Sequence, residues 1–196
     1  MMKKIYYGKA VYDNKEINAV INVLKHDSLS LIDGRKVKKL EKLVSKSFGK
    51  KYGLMVNSGS SANLLALSSF DFKKGSEVIT PNLTFSTTVA PIYQLGLIPH
   101  FVGVEENKFI VDPSHIEKCI NKKTVALMIP NLLGNIADWK KINSIAKKYK
   151  LKVIEDCAQA QGAKYKQKNV GTFGDLGCFS FYPTKILGAY GDGGSS

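Results

Sequence analysis

Val125-Ala126-Leu127-Met128-Ile129, then Asp138-Trp139-Lys140-Lys141-Ile142-Asn143-Ser144-Ile145-Ala146-Lys147-Lys148-Tyr149, then Leu151-Lys152-Val153-Ile154-Glu155 read in order as strand, helix and strand. The middle stretch opens on an aspartate, a good helix N-cap, and the outer two are short apolar runs. The same alternation extends in both directions. Apolar runs at residues 52–56, 77–80, 98–102 and 176–182 predict further strands, and residues 61–70, 86–95 and 113–120 predict the helices between them. Strand and helix in repetition predict an α/β fold, a mostly parallel sheet with helices on both faces. Such sheets bind ligands at the carboxyl ends of their strands.

Two helices precede the alternation. Asp13 with Glu16 three residues on has the form of a capping box, and Ile17, Val20, Ile21 and Leu24 follow as one apolar face. From Arg35 to Lys51 the chain carries eight basic residues and one acid, Glu41, with Val37, Leu40, Val44 and Phe48 at helical spacing. That pattern is an amphipathic helix with a solvated basic face, closing at Gly49. Residues 1–30 are thus expected as an N-terminal helical segment and 31–196 as the large domain.

The 29 Lys+Arg against 16 Asp+Glu leave a net charge of +13, which raises a nucleic-acid reading. Only Arg35 is arginine, however, and recognition of bases and phosphates leans on the bidentate guanidinium. The lysine excess reads as composition on solvated faces, so no nucleic-acid partner is expected. No run approaches the roughly 20 apolar residues of a membrane helix, and residues 1–6 are not followed by a signal-peptide core. A cytoplasmic protein without membrane contact is expected. Cys119, Cys157 and Cys178 have neither a disulfide framework nor zinc spacing, and His26, His100 and His115 have no metal spacing.

Three segments follow predicted strands directly. Asn57-Ser58-Gly59-Ser60-Ser61-Ala62 places small residues and hydroxyls at a helix start, which suits a phosphate; serine-rich helix starts are also ordinary capping sequence. Glu155-Asp156-Cys157-Ala158-Gln159 sets a carboxylate at a strand end, where it can pair with a protonated ring nitrogen or simply cap a loop. Phe179-Ser180-Phe181-Tyr182-Pro183-Thr184-Lys185 sets a lysine after an apolar strand, a position for a Schiff-base amine.

On these residues, together with 81–84, 170–175 and 179–194, the chain resembles the DegT/DnrJ/StrS family of sugar aminotransferases, which use pyridoxal phosphate (PLP) and have the fold-type I architecture. The resemblance implies that Lys185 forms the Schiff base with PLP and serves as the base that moves a proton between substrate and cofactor carbons. It implies that Asp156 keeps the pyridine nitrogen protonated, that Gln159 sits by the phenolic oxygen, that Ser60, Ser61 and Ser180 bind the phosphate, and that Phe85 stacks on the ring. The implied reaction moves an amino group from an amino acid, glutamate by expectation, to a keto group of a nucleotide-linked deoxysugar, for cell-surface polysaccharide or a related glycan. A homodimer is implied for the full-length form. Asp175 is read as ordering a loop, Asp192 as part of a turn into the next strand, and Trp139 as a packing residue.

The wording of residues 55–67, 84–91 and 128–135 is similar to a sister group, the sugar 3-dehydrases, which use pyridoxamine phosphate and carry histidine where aminotransferases carry the lysine. Lys185 favours the aminotransferase, because histidine cannot form a stable Schiff base. Family members continue through more strands and a smaller C-terminal domain, so the resemblance implies the front, truncated part of such an enzyme. A non-catalytic remnant of the same fold is the alternative.

Overall fold

The computed structural model describes residues 5, 6, 8–27, 29 and 31–196; residues 1–4, part of the N-terminal reading above, lie outside them. Helix α1 (Asn14–His26) starts at the expected capping box: the Asp13 carboxylate accepts from Lys15 N at 2.7 Å, and Glu16 accepts from Asp13 N at 2.8 Å. Its apolar face is left uncovered, with Ile17, Val20, Ile21 and Leu24 between 40% and 57% exposed. Helix α2 (Arg35–Ser47) ends before Gly49, which takes a left-handed φ of 60°. Its Val44 and the following Phe48 pack on a small cluster with Phe179 and Phe181, Phe48 stacking on Phe179 at 4.2 Å.

The remaining elements are β1 (Met55–Val56), α3 (Gly59–Ser68), β2 (Glu77–Pro81), α4 (Ser86–Gln94), β3 (Ile98–Val102), α5 (Pro113–Cys119), β4 (Thr124–Pro130), α6 (Trp139–Tyr149), β5 (Lys152–Asp156), β6 (Lys164–Tyr165), β7 (Lys168–Asn169), β8 (Leu176–Ser180) and β9 (Gly194–Ser195). Seven strands form one sheet in the order β1-β9-β8-β5-β4-β2-β3. The five from β8 to β3 run parallel, and β9 enters antiparallel to both of its neighbours. The mixed α/β fold expected from the alternation is the observed one. β6 and β7 form a separate hairpin that the apolar pattern does not announce, since Lys164, Tyr165, Lys168 and Asn169 carry little of it.

Strand side chains alternate between faces, and the core divides accordingly. Ile79, Leu127, Ile129 and Val153 face α5 and α6, packing on Ile116, Trp139 and Ile142. Val78, Ala126, Met128 and Ile154 face the other way, onto Ala62, Ala66 and Leu67 of α3 and Ile92 of α4. Each buried Val, Leu, Ile or Met among them contributes about 1.5–3 kcal/mol, and each alanine methyl less than about 1 kcal/mol. The alternation carries on to the end of β5, so Glu155 lies with Val153 on one side and Asp156 with Ile154 on the α3–α4 side.

The expected strand 176–182 stops at Ser180, where the neighbouring β5 has already ended: Asp156 pairs with Cys178. Beyond it, Phe181 N donates to Gly193 O and Ala189 N to Phe181 O, so the chain turns and re-enters the sheet as β9. Asp192 lies in that turn and accepts from Gly193 N at 2.9 Å. Asp175 ties its loop to β5, accepting from Val153 N at 2.9 Å and Lys152 Nζ at 3.1 Å. Trp139 is fully buried. Among the described residues no helix is long and apolar enough to cross a membrane.

Candidate active site

The carboxyl ends of β4, β5 and β8 and the starts of α3 and α4 surround a cavity of about 350 Å³. Ser60, Phe85, Asp156, Gln159, Ser180 and Lys185 all line it. Ser61 does not: its hydroxyl donates to Asn57 Oδ1 at 2.6 Å, and its N–H is taken by the N-cap Ser58 Oγ at 3.1 Å. Helix α3 therefore presents Gly59 and Ser60 to the cavity and uses Ser58 to hold its own first turn. Glycine at 59 is a packing requirement, because a Cβ there would stand 2.6 Å from Ser180 Cβ. From the other side, a Cβ at Gly194 would stand 2.4 Å from the Ser58 carbonyl. The helix start is thus held closely by β8 and β9.

Asp156 is 6% exposed, and its carboxylate is fully engaged on one side. Oδ2 accepts from Asn63 Nδ2 at 2.9 Å and from Thr88 Oγ1 at 2.7 Å, while among the described residues Oδ1 accepts only from Ala158 N at 3.1 Å. Gln159 Oε1 accepts from Leu133 N at 2.8 Å, with Leu133 in a left-handed conformation at φ 55°. The amide nitrogen of Gln159, which lines the cavity, has no acceptor among the described residues and keeps both its hydrogens available. Phe85, N-cap of α4, holds its ring 60% exposed on the cavity wall. Ser180 is buried, and its backbone carbonyl accepts from Gln161. Lys185 is half-buried in the segment after β8, and its amine has no ion-pair partner among the described residues.

Residues that lie in the quoted segments but were given no role in the sequence also line the wall: Asn63, Thr84, Thr87, Thr88, Asn131 and Tyr182. Asn131 is nearly fully buried and organises the loop after β4, its Oδ1 accepting from Trp139 Nε1 at 3.2 Å and Ala137 N at 3.3 Å. Asn63 was findable in one respect, as a polar residue in the run of Ala62, Ala66 and Leu67 that forms the buried face of α3. Glu155, back to back with Asp156, accepts from the backbone N–H groups of Gly171, Phe173 and Gly174 at 2.5–2.7 Å. Burial pushes its carboxyl up from the ordinary value, and those three donors pull the other way. Burial likewise pushes the Cys157 and Cys178 thiols well up, which makes them unreactive packing groups. Among the described residues no cluster of three or more His, Cys, Asp and Glu is arranged to hold a metal ion.

Comparison with known proteins is consistent along most of the chain. The profile of the DegT/DnrJ/EryC1/StrS aminotransferase family matches residues 11–195. The UDP-N-acetyl-3-dehydro-α-D-glucosamine 3-aminotransferase of Acidithiobacillus ferrooxidans is 42% identical over 168 residues, covering 86% of this chain and 46% of that protein. An aminotransferase from Psychrobacter cryohalolentis superposes with a TM-score of 0.91 at 31% identity, over 97% of this chain and 48% of that one. The GDP-4-keto-6-deoxy-D-mannose-3-dehydratase of E. coli, solved with bound hydrated PLP, superposes with a TM-score of 0.89 at 35% identity, over 98% of this chain and 51% of that one. The chain spans about half the length of the curated relatives it matches.

Proposed function

The chain belongs to the DegT/DnrJ/EryC1/StrS aminotransferase family, and from that premise we propose that it is the cofactor-binding part of a PLP-dependent enzyme that transfers an amino group from an amino acid to a keto group of a nucleotide-linked sugar. One observation carries the reading: a single cavity brings together an unpaired amine (Lys185), a buried carboxylate with a free lone pair (Asp156) and an exposed aromatic face (Phe85). The cavity fits PLP on this chain's own geometry. At one end a helix N-terminus lies against Ser60 and Ser180, with glycine where a Cβ would intrude on Ser180, which suits a phosphate. On another wall Asp156 Oδ1 can accept from a ring N–H, and the Gln159 amide nitrogen can donate to a phenolic oxygen.

When bound, PLP supplies an electron sink that makes a proton on the substrate carbon removable. Asp156, a buried acceptor, holds the proton at the ring nitrogen and so keeps that sink charged. Phe85, exposed on the cavity wall, would cover one face of the ring and orient it. Lys185 Nζ would hold the cofactor through its amine and, when free, would take and return the substrate proton. Nucleotide-linked sugars are the substrate class because relatives bear such names, among them the UDP-sugar aminotransferase above. A homodimer completing the site in the full-length form remains part of this reading.

Likeness to the 3-dehydratase favours a second reading, removal of a sugar hydroxyl, against which the Lys185 amine argues. Both are tested by adding PLP to the purified chain. A visible absorbance band that borohydride erases, fixing the cofactor on the Lys185 peptide, and that Lys185→Ala prevents supports the aminotransferase. PLP binding without a borohydride-fixed lysine supports the dehydratase, and no binding rejects both.

A further inference from the structure

The carboxylate of Asp156 is loaded unevenly, and the residues responsible sit far from it in sequence. Asn63 from α3 and Thr88 from α4 both donate to Oδ2, at 2.9 and 2.7 Å. Thr88 is itself fully buried and uses its only hydroxyl hydrogen on Asp156, so it accepts from Thr84 Oγ1 at 2.9 Å. Asn63 directs its second amide hydrogen to Thr87 O at 3.2 Å. Both partners of that amide are acceptors, which fixes its orientation and leaves Asn63 Oδ1 buried with no hydrogen-bond partner among the described residues.

An orphaned buried acceptor carries a cost that leucine at this position would not have. Its presence marks the donor side of Asn63 as the reason an amide is there. The same network ties the start of α4, which carries Phe85, to α3, which carries Ser60, and ties both to Asp156. Oδ1, with one donor at 3.1 Å, is the oxygen left for a ligand.

We propose that Asn63 and Thr88 are positioning residues that divide the two oxygens of Asp156: Oδ2 is anchored by the protein, and Oδ1 is aimed at the ring nitrogen of the cofactor with its negative charge stabilised from behind. This rests on the PLP reading above. Two neutral donors on Oδ2 favour the state in which the shared proton stays on the ring nitrogen and the charge on Asp156. Without them the proton moves towards the carboxylate, and the ring loses part of its electron-withdrawing power.

The test uses the full chain loaded with ¹⁵N-labelled pyridoxal phosphate, reading the ring-nitrogen resonance and the rate of cofactor release. Thr88→Val is expected to move the resonance from the pyridinium position towards that of neutral pyridine. It should also speed release by about tenfold or more, the size of one lost hydrogen bond to a charged acceptor. Thr88→Ser, which keeps the hydroxyl, should restore both. If Thr88→Val does not fold, Asn63→Leu is read in the same way. A folded variant that melts earlier but keeps the wild-type resonance reduces the network to scaffolding and overturns the inference alone. Absence of any bound-cofactor signal in the wild type overturns the functional reading, and this inference with it.

Discussion

Placing one methyl group at Gly59 tests whether the helix start and β8 are as closely joined as the site requires. The Cβ of Gly59→Ala would lie 2.6 Å from Ser180 Cβ, 3.1 Å from Ser180 Cα and 3.2 Å from Ser180 Oγ. The first distance is about 0.8 Å short of the 3.4 Å at which ordinary contact begins. Rotating the serine side chain cannot relieve it, because Cα and Cβ are the atoms struck. The helix cannot simply withdraw, since the backbone of Gly194 crosses Ser58 and Gly59 on the other side. Overpacking of this kind costs about 1–3 kcal/mol. Gly59 has no left-handed φ, so alanine recovers about 0.4–1 kcal/mol through the unfolded chain, and the net loss is about 1–2 kcal/mol.

That loss corresponds to a melting temperature lower by about 2–8 °C for a domain of this size. The larger effect falls on the cofactor, because the displaced atoms are the N-terminus of α3 and Ser180 on the cavity wall. PLP affinity, measured by titration of the visible absorbance, should fall at least about tenfold, the equivalent of one hydrogen bond to a charged phosphate. Gly193→Ala is the matched control. Its Cβ meets nothing nearer than 3.5 Å, so stability and affinity should stay near wild type. Gly59→Ala with wild-type affinity would refute the close joining of helix and strand.

Phe85 is 60% exposed, so Phe85→Ala should leave the urea midpoint within experimental error while weakening PLP binding; a stability loss comparable to a core substitution would make it a packing residue instead. Trp139→Ala should cost about 3–5 kcal/mol, since it empties a fully buried site stacked on Phe173 and leaves Asn131 Oδ1 with one donor fewer; a loss under about 1 kcal/mol in urea titration would contradict the packing described. Hydrogen bonds from Asn121 and then His100 hold the Glu77 carboxyl below its ordinary value. The folded state therefore binds fewer protons than the unfolded one in that window. The stabilisation is present above the unfolded carboxylate value and is lost as pH falls through the lowered folded one. The stability gap between wild type and Asn121→Ala should accordingly narrow in acid, and a gap that is constant from neutral to acid pH would count against it.

Most of the residues that line the candidate site are legible in the sequence, for a local reason. Small residues after a strand, a carboxylate at a strand end and a lysine just past an apolar run are properties of neighbouring residues, and so are the helical and strand periodicities. The boundaries followed to within a few residues: Ile98–Val102 and the Asp138 cap are as expected. The departures arise where distant segments decide. Residues 52–56 make only a two-residue strand, and its partner β9 arrives from the far end of the chain, Met55 pairing with Ser195. Ser61 is a local case: its hydroxyl reaches Asn57, four residues back, and it does not line the cavity.

What the amino-acid order determined by itself is the alternation of strands and helices and the three strand-end motifs, because periodicity and turn chemistry act over a few residues. The tertiary structure alone decided the strand order, the antiparallel entry of β9, and the partners of Asp156. Asn63 and Thr88 lie 93 and 68 residues from that aspartate, and no spacing rule links them. They meet it because the face of β5 that carries Asp156 is the face on which α3 and α4 pack.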